Sequence, residues 1–251
     1  LVLAVDTSTP ACSVALVEVG PASSASPGPE GAVAVHGRAA RRVVDARRHG
    51  ELLAPLIHEV LAVADVRPAD LGGLVVGLGP GPFTSLRVGI VTAATFGAAL
   101  GLPCHGVCSL DGIGAATRGR VGVALDARRR EVFWASYADG RRTAGPAVDY
   151  PARAAELLRA AGAAAVTGPG RALYPEPFTG FATGEALHDS RADGAAPSPV
   201  AAGPPDYPDP VVLAALAAPD LLAGRPPGPL APIYLRRPDV AEPHPAKPVT
   251  V

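Results

Sequence analysis

The chain has 251 residues, 48% of them hydrophobic and 18% charged, with a formal net charge of −1. Such a chain buries a sizeable core, as one large domain or as two lobes. A near-zero charge excludes a protein that grips nucleic acid by bulk electrostatics alone. Three cysteines, Cys12, Cys104 and Cys108, fit no disulfide framework and suit a reducing cytosol. Every basic residue but Lys247 is Arg and Met is absent, which reads as GC-rich coding bias rather than selection for RNA contact.

Leu1–Val5 is expected as a short apolar strand that meets Asp6 too soon for a secretory signal. A turn over Asp6–Pro10 leads to a second strand at Ala11–Val19, a small-residue loop at Pro21–Gly31 and a strand over Val33–Arg38. Glu51–Ala64 reads as a helix with a wide apolar stripe of Leu52, Leu53, Leu56, Ile57, Val60 and Leu61. Pro55 is tolerable there if the helix starts near Gly50, because first-turn amides lack internal partners. A strand at Leu71–Leu78 runs into the rigid Gly/Pro turn of Gly77–Ile90, GLGPGPFTSLRVGI, and on into a helix over Phe83–Leu100 whose only charge is Arg87. That helix is apolar on nearly every face, which points toward a partner that helps the chain's own core to cover it. It is also expected to be too short, and too charged at Arg87, for a membrane span. Leu102–Val107 follows as a strand and Ser109–Thr117 as a helix.

The pattern then restarts. Val121–Asp126 and Glu131–Tyr137 read as a hairpin, Ala152–Ala161 as a helix, and Ala163–Thr167 as a strand that ends in Gly168-Pro169-Gly170. Gly184–Pro210 nearly lacks large apolar residues and is expected to be flexible. A short helix at Val211–Ala218 precedes a proline-studded tail from Gly224. Two strand-turn-strand starts about 120 residues apart suggest two related lobes, residues 1–107 and 108–223, with the tail at 224–251.

Three turns offer a nucleotide site split between such lobes. Asp6, Thr7 and Ser8 supply a strand-end carboxylate and hydroxyls for a metal-bound phosphate, and Asp126 and Arg128 hold the equivalent place in the second lobe. Gly168 and Gly170 would let an adenosine lie against bare backbone. The alternative for each is a turn that caps its own amides. The Gly77–Thr84 turn is neither a Walker loop, lacking Gly-Lys-Ser/Thr, nor a dinucleotide fingerprint, with Pro82 where the last Gly belongs. Cys104, His105 and Cys108 lack a fourth ligand, and Ser109 with Asp111 lacks a nearby His, so neither a zinc site nor a hydrolase triad is expected. His49 and Glu51 open the first helix as caps or contacts, His58 is a solvated or interface residue, and Arg128–Arg130 reads as a solvated hairpin tip.

DTST at Asp6–Thr9, GPGPFTSLRVG at Gly79–Gly89, LDARRREVFWA at Leu125–Ala135 and PIYLRR at Pro232–Arg237 together resemble the TsaB family, also called YeaZ, over about residues 1–240. The resemblance implies an α/β, actin-like ATPase fold of two related lobes. It implies a bacterial, cytoplasmic, non-catalytic platform subunit in the synthesis of threonylcarbamoyladenosine on tRNA. Such a subunit docks on the TsaD transferase, helps recruit the TsaE ATPase, meets tRNA through the complex, and forms a homodimer when TsaD is missing. It requires no cofactor and binds ATP or ADP weakly at most.

The related transferase carries two histidines four residues apart after the strand that follows the GPG helix, a spacing that puts both on one helix face for a metal. Ser109 and Ile113 occupy those places here, so neither a metal ligand nor a catalytic residue is expected. The resemblance also implies that the first two helices pair with those of a partner. Gly89, Ala93 and Gly97, four apart, make a small-residue stripe that a partner helix can approach. Leu86, Ile90 and Phe96, with Glu51, Leu52 and Leu56 of the preceding helix, would complete that face. The competing arrangement packs the stripe inside the lobe. Two other functions stay open: a self-sufficient ATP-dependent kinase or transferase using the three turns, and a glycoprotease-like peptidase, disfavoured by the missing histidines.

Overall fold

The computed structural model describes residues 1–22, 33–183 and 206–236. Strand β1, Val2–Asp6, is buried along its whole length, so it needs strands on both edges and cover on both faces. It receives them in a five-stranded sheet of order β3-β2-β1-β4-β5, built with β2 (Ala11–Pro21), β3 (Val33–Val44), β4 (Gly73–Gly77) and β5 (Cys104–Val107). β2 and β3 pair antiparallel, whereas β1, β4 and β5 run parallel. Alternation divides the faces. Leu3, Val5, Val14 and Leu16 meet helices α1 (His49–Val63) and α2 (Phe83–Leu100), while Val2, Ala4, Ala15 and Val17 meet α6 (Pro210–Leu222).

The second sheet repeats the plan. It contains β6 (Arg120–Asp126), β7 (Val132–Ala138), β8 (Arg141–Asp149), β9 (Ala165–Thr167) and β10 (Ala182–Thr183), in the order β10-β9-β6-β7-β8. Taken from the other edge this is the order of the first sheet, with the same antiparallel hairpin pairs and parallel closing strands. Leu110 and Ile113, at and within the short α3 (Asp111–Gly114), cover one face with Val123, Leu125 and Tyr137. Ala154, Ala155 and Leu158 of α4 (Pro151–Ala160) cover the other against Ala124 and Trp134. A one-turn helix, α5 (Pro169–Leu173), follows β9.

Several expectations need correction. α6 falls in the segment assigned to the second lobe, yet Leu213, Ala214 and Ala217 pack on the first sheet. The tail is not separate either: the Ile233 amide donates to the Leu78 carbonyl at 2.8 Å, Leu230 touches the first core, and Ile233 and Leu235 touch the second. Arg236 pairs with Glu131, so the tail straps both lobes. Pro55 lies in the second turn of α1, on its exposed side, because that helix begins at His49. β3 runs six residues past its expected end, and β8 lies where no strand is expected. Both are edge strands studded with Arg, and Gly145-Pro146 inside β8 looks like a turn in sequence. Helix α2, with 18 residues and a mean hydropathy of 1.4, is long and apolar enough to cross a membrane by length and composition, so length does not exclude a span. In this fold its inner face packs on the first sheet. The loop at 23–31, the stretch 184–205 and the residues after Arg236 lie outside the described residues.

Candidate functional site

The two signature stretches of the first lobe are halves of one joint. Asp6 ends β1, and its Oδ1 accepts from the amide (2.9 Å) and the hydroxyl (2.8 Å) of Ser8. Its Oδ2 accepts from Ser109 Oγ at 2.5 Å, and that Oγ in turn accepts from the Gly79 amide at 3.0 Å. The Thr7 hydroxyl donates to the Ser85 carbonyl at 2.7 Å and accepts from the Gly89 amide at 3.0 Å. A β-carbon at Gly77 would collide with the Asp6 carboxylate, and one at Gly89 with the Thr7 hydroxyl. The glycines of the Gly/Pro turn and of α2 therefore make room for Asp6-Thr7-Ser8. All three are buried, and burial raises the Asp6 pKa against the opposing pull of the Ser109 and Ser8 hydrogen bonds.

A cavity of about 480 Å³ lies between the lobes. Ser8, His49 and Ser85 contribute its wall from the first lobe, and Asp126, Arg128 and Leu173 from the second. The three turns do converge here, but only some of their residues line the cavity. Asp6 and Thr7 are sealed beneath the wall and reach no ligand. Gly168, at φ 95°, and Gly170 press against the Ala124 carbonyl, and only Pro169 of that turn lines the cavity. Asp126 Oδ1 caps the Arg128 amide at 2.8 Å, and Oδ2 lies 3.6 Å from the Arg128 guanidinium. Pro82, Leu125, Phe133 and Leu173 add apolar surface. Asp6, Thr7, Gly168 and Gly170 are joint and packing residues; Ser8, Asp126 and Arg128 remain on the cavity.

The remaining candidates separate cleanly. Ser109 is spent on the joint, and Ile113 is fully buried in the second core. Cys104 packs in the first core and Cys108 in the second, so neither joins His105 at one point. Among the described residues no group of three or more His, Cys, Asp or Glu is placed to hold a metal ion. His49, read from sequence as a cap or contact, is buried, with Nε2 at 2.8 Å from the Thr9 carbonyl. Asp111 accepts from the Tyr137 hydroxyl at 2.8 Å and lies 3.4 Å from Arg142, a cluster that sequence spacing gave no means to find.

The small-residue stripe of α2 faces inward, which corrects its expected role. Gly89, Ala93 and Gly97, with Leu86, Ile90 and Leu56, are buried on the chain's own sheet; Gly97 sits against the Leu102 carbonyl and Leu74. Leu52 and Phe96 are partly buried against the same core, and exposed Glu51 pairs with Arg48 at 2.9 Å. The sheet is the neighbour that the close approach serves. The outward face of α2 is the opposite stripe of Thr84, Arg87, Val91, Thr95 and Ala98, all exposed.

Two lobes with one strand order, joined over a central cleft, define an actin-like α/β protein of the TsaD type. A family model described as TsaD, tRNA N6-adenosine threonylcarbamoyltransferase, matches residues 43–184. An uncharacterized protein of Mycobacterium tuberculosis strain H37Rv is 42% identical, covering 100% of this chain and 95% of its own length. The Escherichia coli K12 tRNA threonylcarbamoyladenosine biosynthesis protein TsaB is 34% identical over 54% of this chain and 54% of its own length. YeaZ from Pseudomonas aeruginosa superposes with a TM-score of 0.64 at 27% identity, over 93% of this chain and 99% of that one. The chain belongs to the TsaB/YeaZ family.

Proposed function

We propose that the chain is a non-catalytic platform subunit in tRNA threonylcarbamoyladenosine synthesis, docking on a TsaD-like transferase and helping recruit a TsaE-like ATPase. One observation carries the non-catalytic part. At the two places where the resemblance puts metal-binding histidines, Ser109 is locked to Asp6 and Ile113 is core. Neither side chain can serve as an imidazole. The docking part is supported by α2, whose outer stripe holds Val91 at 59% exposure and, apart from Arg87, no charge. In the absence of the transferase the same stripe serves self-association. Nucleotide is not required, and its binding is weak at most, because Asp6 is sealed from the cleft. Contact with tRNA runs through the complex, in the cytoplasm.

Among the described residues Ser109 is bound to Asp6 and His49 faces the Thr9 carbonyl, an arrangement that does not favour a peptidase reading. The test is co-purification with the TsaD-like protein of the same genome, beside calorimetry with ATP. A stable complex and no submicromolar ATP affinity are expected. Submicromolar ATP binding lost in Asp126→Ala, together with turnover by the isolated chain, would favour the enzyme alternative.

A further inference from the structure

We propose that Arg87 is the point at which the α2 docking face selects its partner, a helix carrying a carboxylate on the transferase subunit, in preference to a second copy of this chain. The inference rests on the docking reading above. Arg87 is the only charged side chain of α2, and it is exposed. Its guanidinium lies 4.1 Å from the ring centroid of Phe83, and its Nε donates to the Tyr234 hydroxyl at 3.0 Å. Tyr234 stacks on Phe83 with centroids 5.3 Å apart. The strap holds Tyr234 in place from both sides, through the Ile233 amide on Leu78 and the Arg236 pair with Glu131.

Phe83 and Tyr234 are 53% and 41% exposed, so this is a fixed aromatic and guanidinium patch open to solvent. Buried aromatic and Arg anchors carry most of the binding energy in interfaces, and pre-ordering them lowers the cost of association. A ring face and a hydroxyl do not neutralise a guanidinium, and no carboxylate pairs with Arg87 among the described residues. Covering it therefore calls for an acid from the partner.

A second copy of this chain offers no unengaged acid from the same helices. α2 contains no Asp or Glu, and the two carboxylates of α1 each pair with an arginine of their own chain, Glu51 with Arg48 at 2.9 Å and Glu59 with Arg41 at 2.5 Å, exposed pairs that would have to break to meet Arg87. A two-fold interface repeats each contact, so it would desolvate two unneutralised guanidinium groups. A transferase helix bearing Asp or Glu opposite Arg87 removes that cost.

The test uses the full chain, the purified TsaD-like subunit of the same genome, and the variants Arg87→Leu and Val91→Arg, each checked for folding by circular dichroism. Arg87→Leu should weaken binding to the transferase by about thirtyfold and strengthen self-association in sedimentation equilibrium. Val91→Arg should abolish both associations. Wild-type transferase affinity in Arg87→Leu, or weaker self-association, would overturn the role of Arg87 while the Val91→Arg loss keeps the docking face. Wild-type transferase affinity in Val91→Arg would remove the docking face itself, and this inference with it.

Discussion

Ser109 Oγ and Asp6 Oδ2 lie 2.5 Å apart, joining the end of the first strand to the residue two before α3. Both are buried, and Ser109 also accepts from the Gly79 amide, so one hydroxyl ties the strand end, the Gly/Pro turn and the start of the second lobe. Ser109→Ala leaves a buried carboxyl and a buried amide each short of a partner. A loss of about 1–3 kcal/mol is expected, read from urea unfolding. An unchanged midpoint would mean that the joint is not stabilised through this hydroxyl.

The Asp6 carboxyl sets a pH dependence. Burial holds its folded pKa above the ordinary value of 3.8. As pH rises through that ordinary value the unfolded chain gives up its proton first, while the folded chain keeps its own. The unfolded state gains, so stability is fullest below the ordinary pKa and falls as pH rises toward the folded one. Asp6→Asn removes this fall, so the stability curves of variant and wild type should converge toward low pH and separate above pH ~4. Parallel curves across that window would contradict the buried, raised carboxyl.

Burial pushes the Cys12 thiol up to about 12, and Cys104 and Cys108 to about 11. The thiolate is the reactive form, so at pH 8 all three should react with a disulfide reagent at least about a hundredfold more slowly than in urea. Rapid labelling of one thiol in the native chain would show that its core is open.

The inward stripe and the outward stripe of α2 should respond differently to a large cation. Gly89→Arg drives a side chain into Thr7 and should unfold the protein, seen as lost circular dichroism. Thr95→Arg, on the exposed stripe, should leave the fold intact and block association in light scattering. A folded Gly89→Arg variant that loses its partner would return the small-residue stripe to the interface.

Much of this was legible from the chain alone. The buried apolar run Val2–Val5 and the restart at Val121 announced two sheets, because a strand apolar on both faces demands cover on both. The ambiguity lay in what small residues are for. A Gly–Ala–Gly stripe reads alike whether the approaching backbone belongs to a partner or to the same chain; the neighbours are Thr7 and Leu74, from distant sequence, and the Leu102 carbonyl just past the helix. Asp6 reads in sequence either as a phosphate ligand or as a turn cap, and it is Ser109, 103 residues away, that occupies its second oxygen. α6 could not be assigned to the first sheet from its own apolar pattern, since either lobe offered a face to cover. Edge strands β3 and β8 hid behind arginines that reach solvent.

A reconstituted transfer assay tests the platform role most directly. The TsaD-like subunit, the TsaE-like subunit, tRNA and an activated threonylcarbamoyl donor would be combined with and without this chain, and this chain would also be incubated alone with substrate. Strong stimulation when it is added, with no turnover when it acts alone, is the expected result. Multiple turnovers by the isolated chain, or full transferase activity without it, would contradict the platform role.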